Sequence, residues 1–277
     1  MKTWFITGCS TGFGRELAGA LLEKGEQVVA TARNPEQLKD LKEKYGNKVL
    51  TLKLDVTVED DIKNSVKGTL EKFGQIDVLI NNAGIGYFGG VEESEEEEVR
   101  KMFEINFWGL NHMTNAVLPH MRQRKTGTIV NISSVAGTKG MPGTGYYNAT
   151  KFALEGISEA LWQELEPLGI RVLIVEPSGF RTDWAGRSAN EVKNPITDYD
   201  GTTTRERIEM LRDNSGKQAG DPKKAAKAII ADVEAGGPNH HLPLGNRSFE
   251  ITIEKIEDLK QEYSKLESIA RGADSPQ

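Results

Sequence analysis

The sequence predicts an α/β fold, a doubly wound parallel sheet of about seven strands with helices on both faces. Three observations carry this expectation. Short apolar runs alternate with longer segments of helical periodicity, a glycine-rich turn joins the first run to the first helix, and no Pro/Ser-rich linker or solenoid-length repeat divides the chain. With 277 residues, 37% of them hydrophobic, the chain can build one large core, so residues 1–277 are expected to form a single domain.

Trp4-Phe5-Ile6-Thr7 reads as the first strand, and Arg15 to Lys24 as a helix stopped by Gly25. Gln27 to Ala32 is a strand, Pro35 to Tyr45 helical, and Val49 to Leu54 a strand ending at Asp55. Ile62 to Phe73 is helical and Ile76 to Ile80 a strand, followed by one long helix from Val99 to Arg124 with Pro119 inside it. Thr128 to Ile132 is a strand, Tyr147 to Leu165 a helix and Arg171 to Val175 a strand. Residues 184–220 are polar, charged and glycine-containing, as in a lid over a substrate cleft. Residues 221–277 then supply the C-terminal helices and last strand. Asp221-Pro222 opens a helix as N-cap and first-turn residue, His241 to Leu244 gives a short strand, Ile251 to Ile269 a closing helix, and Gly272 to Gln277 a frayed end.

Lys plus Arg number 35 against 41 Asp plus Glu, a net charge of −6 that repels phosphate backbones and anionic lipid, so neither nucleic acid nor a membrane is an expected partner. One cysteine forms no internal disulfide, the opening residues lack a signal-peptide core, and no apolar run reaches the roughly 20 residues of a membrane span. A cytoplasmic protein is expected.

The turn Thr7-Gly8-Cys9-Ser10-Thr11-Gly12-Phe13-Gly14 stands where a strand hands over to a helix. Glycines let backbone pass close to a pyrophosphate, and the helix start offers free amides and a positive dipole end. Later come Asn81-Asn82-Ala83-Gly84 after the fourth strand, Asn106 in the long helix, then Ser134, Tyr147 and Lys151, and finally Pro177 and Thr182. With these motifs in this order and spacing, residues 1 to 185 resemble the short-chain dehydrogenase/reductase family, and the remainder resembles it in length and helix order. The resemblance implies a Rossmann-type fold and hydride transfer with a nicotinamide cofactor.

In such folds an acidic residue about 20 positions past the glycine turn binds the adenosine ribose and selects NAD. The corresponding place holds Ala32, followed by Arg33 and Asn34, and a guanidinium makes paired hydrogen bonds to a 2′-phosphate. NADP(H) is therefore expected over NAD(H), although Thr11 stands where some relatives add a basic residue. The glycine turn, with Gly8, Ser10, Thr11, Gly12, Phe13 and Gly14, is assigned to the cofactor. The resemblance gives Asp55 and Val56 to the adenine, and Asn82, Ala83 and Gly84 to the adenosine side. Pro177 and Gly179 shape the turn after the sixth strand, where Ser178 departs from the usual glycine. Thr182 is expected at the nicotinamide carboxamide or the pyrophosphate.

Tyr147 and Lys151 are four residues apart, hence on one helix face. A free phenol, with a pKa of about 10, needs a fixed positive charge nearby to act as a base near neutrality, and in the reductive direction it donates its proton to a carbonyl oxygen. Ser134, with Ser133 as its alternative, can hold that oxygen. The resemblance points to Ser134 and gives Asn106 the fourth catalytic position, where its amide either organises water beside Lys151 or merely stabilises a bend. Tyr147 and Lys151 also count as cofactor contacts. Tyr87, Phe88, Met141, Tyr146, Phe180 and Trp184 fall on loops expected at the carboxyl ends of strands, where an aromatic and methionine wall suits a hydrophobic ketone or secondary alcohol, although the same side chains equally suit the core or a subunit interface. Of these, Phe88, Met141, Phe180 and Trp184 join Ser134 and Tyr147 as the expected substrate contacts.

The acidic run Glu92 to Glu98 reads as a solvated helix start, His112, His120, His240 and His241 show no metal-binding spacing, and Cys9 is explained by its small size. No catalytic metal is expected. The leading expectation is an NADPH-dependent carbonyl reductase. A hydroxysteroid or retinol-type dehydrogenase and a non-catalytic NADP(H)-binding redox sensor are the alternatives. Relatives assemble as homodimers or homotetramers through the helix that carries the tyrosine, and Phe152, Leu154, Ile157, Leu161 and Trp162 give that helix enough apolar surface to cover a sheet face or a partner, two uses that periodicity does not separate.

Overall fold

A computed structural model describes residues 1–274. Strand β1 (Thr3–Ile6) leads through the glycine turn into α1 (Gly12–Lys24), which starts three residues earlier than the apolar pattern suggests because Gly12, Phe13 and Gly14 of the turn already belong to its first turn. Gly25 closes α1 in the left-handed conformation, at φ 90°. Then follow β2 (Gln27–Ala32), a 3₁₀ turn at Pro35–Leu38, α2 (Lys39–Tyr45), β3 (Val49–Lys53), α3 (Glu59–Phe73) and β4 (Val78–Asn81). A short strand β5 (Gly86–Phe88) precedes α4 (Glu96–Phe103), a π turn at Glu104–Gly109 and α5 (Leu110–Arg124), so the expected long helix carries a π turn in its middle. Next come β6 (Gly127–Ile132), α6 (Gly145–Leu165) and β7 (Ile170–Pro177).

The segment 184–220 holds β8 (Ala189–Glu191) and α7 (Thr203–Asp213), neither visible as an apolar run. β8 exists because it pairs in parallel with β5, Gly86 opposite Ala189, and α7 buries only Ile208. α8 (Pro222–Ala235) is capped by Asp221, whose side chain accepts from the amides of Lys223 and Lys224. β9 (His241–Leu244), α9 (Asn246–Lys265) and α10 (Glu267–Gly272) complete the described chain. α9 leaves Phe249, Ile253 and Ile256 exposed. Gly272 still belongs to α10, and residues 275–277 of the expected frayed end lie outside the described residues.

The main sheet has seven parallel strands in the order β3-β2-β1-β4-β6-β7-β9. Its inner strands are buried on both faces, as parallel strands under crossover helices must be, while the edge strands β3 and β9 are partly open. Trp4 and Ile6 point to one face and pack with Leu17, Leu21, Ile229 and Val233 of α1 and α8. Phe5 points to the other and packs with Ile62, Met113 and Val117 of α3 and α5. Each such buried side chain contributes about 1.5–3 kcal/mol of transfer free energy, which makes the sheet a rigid platform. The chain reverses its winding between β1 and β4, and the crevice outside the carboxyl ends of strands at such a point is where ligands bind. Among the described residues, no helix is long and apolar enough to cross a membrane.

Candidate active site

At that crevice lies a cleft of about 1430 Å³. The glycine turn forms one end of it, with Gly8, Ser10, Thr11, Gly12 and Phe13 on the wall. Gly8 and Gly12 have φ of 72° and 62°, and a Cβ on Gly8 would stand 3.1 Å from Ala83 Cα. Thr11, at the N-cap of α1, makes no side-chain cap, and the first turn carries no acid. The amides and positive dipole end of α1 are thus left for an anion, a cradle that fits a dinucleotide pyrophosphate. Gly14 lies behind the wall, where a Cβ would collide with the Gly8 carbonyl and stand 2.6 Å from Asn82 Nδ2. Its part is to let helix and turn close together.

Asn82 lines the cleft with Ala83 and Gly84, but its amide is committed inward, donating to the carbonyls of Thr7 and Gly8 at 2.9 Å. Arg33 is exposed on the rim beside Ala32, with no acidic residue at either position. Asn34, the next of the expected cofactor contacts, is exposed. It lies off the cleft wall, and its side chain accepts from Glu36 N at 3.1 Å to cap the 3₁₀ turn. Asp55 and Val56 line the adjoining wall, with Asp55 Oδ1 accepting from the Thr57 amide and hydroxyl. Pro177, Gly179 and Thr182 also line it, and Thr182 faces Gly12 across the cleft, 3.7 Å from where a Cβ would be.

Ser134, Tyr147 and Lys151 meet on the wall between these ends. The phenol of Tyr147 is pushed above its ordinary value by burial, and the Ser134 hydroxyl beside it pulls the other way. Lys151 is buried, its Nζ donates to Ile132 O at 2.8 Å, and burial lowers its pKa to about 8 against the pull of Glu155. The nitrogen stands 5.8 Å from the Tyr147 ring centroid. Ser134 Oγ accepts from Ala136 N at 3.1 Å, whereas the Ser133 hydroxyl donates to Glu155, so the two neighbours point to different tasks.

Asn106 does not line the cleft. Buried in the π turn, it accepts from Ile85 N at 2.8 Å and donates to Ile85 O at 2.9 Å and Thr150 Oγ1 at 3.2 Å, tying the strand side of the cleft to the helix that bears Lys151. Of the expected substrate residues, Met141, Phe180 and Trp184 stand on the wall. Phe88 is instead wholly buried behind it, against Ala185, Ala189 and Ile208, because β5 turns that side chain under the 184–220 segment.

Three features escape the sequence reading. Glu155, one turn after Lys151, is buried beside the buried Glu176, and both meet the exposed His241, whose Nδ1 lies 2.7 Å from Glu176 Oε1. Burial and the Glu176 charge raise Glu155 to about 7. The helical spacing from Lys151 was available as a signal, but the partners come from β7 and β9. The acidic run also departs from its reading as a solvated helix start. Glu92, Glu93, Glu95 and Glu98 reach Tyr199, Arg205, Lys193 N and Asn190 of the 184–220 segment. Arg207, also on that segment, lines the cleft.

A family model described as short chain dehydrogenase matches residues 2–193. The chain is 38% identical to the oxidoreductase BOA17 of Botryotinia fuckeliana, over 97% of this chain and 98% of that one. A short-chain dehydrogenase from Streptomyces avermitilis superposes with a TM-score of 0.91 at 37% identity, over 99% of this chain and all of the other, 100%. At lower identity, a short chain dehydrogenase from Burkholderia cenocepacia in complex with NADP matches at 25% (TM-score 0.74, 96% and 99% covered). A 3-ketoacyl-(acyl-carrier-protein) reductase from Brucella melitensis complexed with NADH matches at 27% (TM-score 0.74, 89% and 98% covered).

Proposed function

The chain belongs to the short-chain dehydrogenase family, and from that premise we propose an NADP(H)-dependent oxidoreductase that passes a hydride between the nicotinamide and a carbonyl or secondary alcohol with an apolar body. The observation that carries this reading is one continuous cleft with an uncapped helix start at one end and Ser134, Tyr147 and Lys151 on its wall. The glycine turn and α1 would hold the pyrophosphate, Arg33 the 2′-phosphate, and Asp55 with Val56 the adenine. When bound, the nicotinamide supplies or accepts the hydride.

The chain's own residues handle the proton. In reduction, Tyr147 donates its phenolic proton to the carbonyl oxygen while the Ser134 hydroxyl holds that oxygen. A phenol kept above its ordinary pKa by burial stays protonated for this task. Lys151, about 8, is mostly charged at neutral pH and favours the tyrosinate left behind. Asn106 acts as a positioning residue, since its amide is already fully engaged with Ile85 and Thr150. The segment 184–220 serves as the lid, with Trp184 and Met141 excluding water from the reacting atoms. Exposed Trp108 and Phe152 support assembly as a homodimer or homotetramer, and the lone buried thiol of Cys9 suits a reducing cytoplasm.

The test is NADPH consumption, followed by nicotinamide absorbance, across aldehydes, aromatic ketones, steroids and keto esters, with NADH and Tyr147→Phe as controls. Turnover with NADPH that vanishes in the variant is the expected result. Binding of NADPH without turnover of any member would sink the reading.

A further inference from the structure

Helix α7 carries three arginines, and two of them have partners. Arg205 Nη2 donates to the buried Glu93 carboxylate at 2.8 Å, and Arg212 pairs with Glu191 at 2.9 Å while donating to the carbonyls of Ala185, Gly186 and Ala189. Arg207, about 200° around the helix from Arg205, faces the cleft instead. Its Nη2 meets the thioether of Met141 at 2.9 Å, and its Nε is shielded from solvent without a hydrogen-bond partner. Among the described residues no carboxylate neutralises it. Burial and the charge of Arg247, another cation on the cleft wall, both bear on it unfavourably.

A half-buried guanidinium with a shielded Nε and a thioether as acceptor is a costly arrangement for a protein to keep, because sulfur accepts weakly and the charge is partly desolvated with no carboxylate to compensate. An oxyanion entering the cleft supplies what is missing. The planar fork takes two oxygens of a carboxylate or a phosphate side by side. Met141 touches Arg207 and also packs on the cluster of Tyr147, Tyr87 and Trp184, so the charged position lies next to the apolar wall of the reacting position.

We propose that Arg207, with Arg247 on the same wall, binds an oxyanion on the substrate, which makes the substrate class an apolar ketone or aldehyde carrying a carboxylate or phosphate group. This deepens the function proposed above and rests on it.

The test uses the NADP⁺-loaded protein and two matched pairs with the same phenyl ketone body, 4-oxo-4-phenylbutanoate against its methyl ester, and phenacyl phosphate against 2-hydroxyacetophenone. Equilibrium binding is read by tryptophan fluorescence, so no turnover is needed. In at least one pair the acid should bind about 10-fold or more tighter than its neutral partner, as expected of a charge-assisted bidentate contact. The winning pair tells carboxylate from phosphate. Arg207→Met should reduce that preference to below about 3-fold, with Arg207→Lys between the two. No preference in either pair, or a preference that survives Arg207→Met, overturns the proposal. So does an equal loss of NADPH affinity in Arg207→Met, which would assign the arginine to the cofactor. Should Arg207→Met fail to fold, the comparison within each pair on the unaltered protein, and Arg247→Met, still decide. NADPH oxidation in the same preparation separates the two readings. Preferential binding of an acid without oxidation sinks the reductase and the substrate role but not the anion site, whereas equal kcat/KM for acid and ester sinks the anion site but not the reductase.

Discussion

The indole of Trp184 packs on the phenol ring of Tyr147, with centroids 4.8 Å apart and planes tilted by 51°. Trp184 opens the 184–220 segment, so the proposed lid begins on top of the proposed proton donor. The same indole rests edge-on against Phe88 at 5.6 Å and lies over Gly86, where a Cβ would approach it to 2.6 Å. Backbone space at Gly86 therefore sets the height of the ring above Tyr147.

Gly86→Ala should push the indole off its seat. We expect kcat/KM for ketones to fall by about 10- to 100-fold, the scale of a small misplacement at reacting groups. NADPH binding, at the other wall, should change far less. Steady-state kinetics together with tryptophan emission check this, and unchanged emission with unchanged kinetics would refute it.

Tyr147→Phe removes the proton while leaving the ring that packs on Trp184. Turnover should drop by about 10²–10⁴-fold, the usual worth of a general acid, with NADPH still bound. A variant that kept near-normal turnover would take the acid role away from Tyr147.

Arg33→Ala tests cofactor choice. Loss of a charge-assisted contact to the 2′-phosphate should lower the ratio of NADPH to NADH affinity by about 10-fold or more. An unaltered ratio, measured by titration with both nucleotides, would remove Arg33 from the cofactor site.

Glu93 anchors the proposed lid. Its buried carboxylate is pushed up by desolvation, but hydrogen bonds from Arg205, Gly90 N and Ile196 N more than offset this and hold it below the usual carboxylate range. Glu93→Ala should strand Arg205 and destabilise the protein by about 3–5 kcal/mol, the cost of breaking a buried pair. Limited proteolysis should then cut within 184–220 first, and a digestion pattern identical to that of the unaltered protein would contradict the anchoring role.

Glu155, at about 7, is raised above the ordinary carboxylate value of 4.5, and His241 is raised by its hydrogen bond to Glu176. In both cases the folded state holds its proton more tightly than the unfolded one. The favourable contribution is present at low pH and is lost as pH rises, for Glu155 between about 4.5 and 7. Stability should therefore fall across that window by up to about 3 kcal/mol from Glu155. Glu155→Gln should flatten the fall, with the amide oxygen still able to accept from Ser133. Urea midpoints at pH 5 and pH 8 for both proteins decide it, and equal slopes would count against the assignment.

Much of this protein is legible in one dimension because its signals are local. β1, the glycine turn and α1 follow one another in sequence, and so do Tyr147 and Lys151 on one helix face. The period of apolar residues marks the crossover helices and the inner strands of the main sheet, since a strand covered by helices is apolar on both faces. β5 and β8 carry no such mark. Each is three residues long and exists only because the other lies beside it. The same distinction separates Ser134 from Ser133: both are polar residues after a strand, and only the position of Glu155 on α6 shows that Ser133 is already engaged.

The sequence by itself determined the doubly wound sheet, the glycine turn at the start of α1, and the placement of Tyr147 and Lys151 on one helix face, because periodicity, turn chemistry and i,i+4 spacing are properties of neighbours along the chain. Tertiary structure alone decided that Asn34 is a cap, that Phe88 lies under the 184–220 segment, that Glu93 grips Arg205, and that Arg207 lines the cleft with no carboxylate paired to it among the described residues. In each of these cases the deciding partner lies on another element, and what a charge or a ring does is set by who is opposite it once the chain has folded.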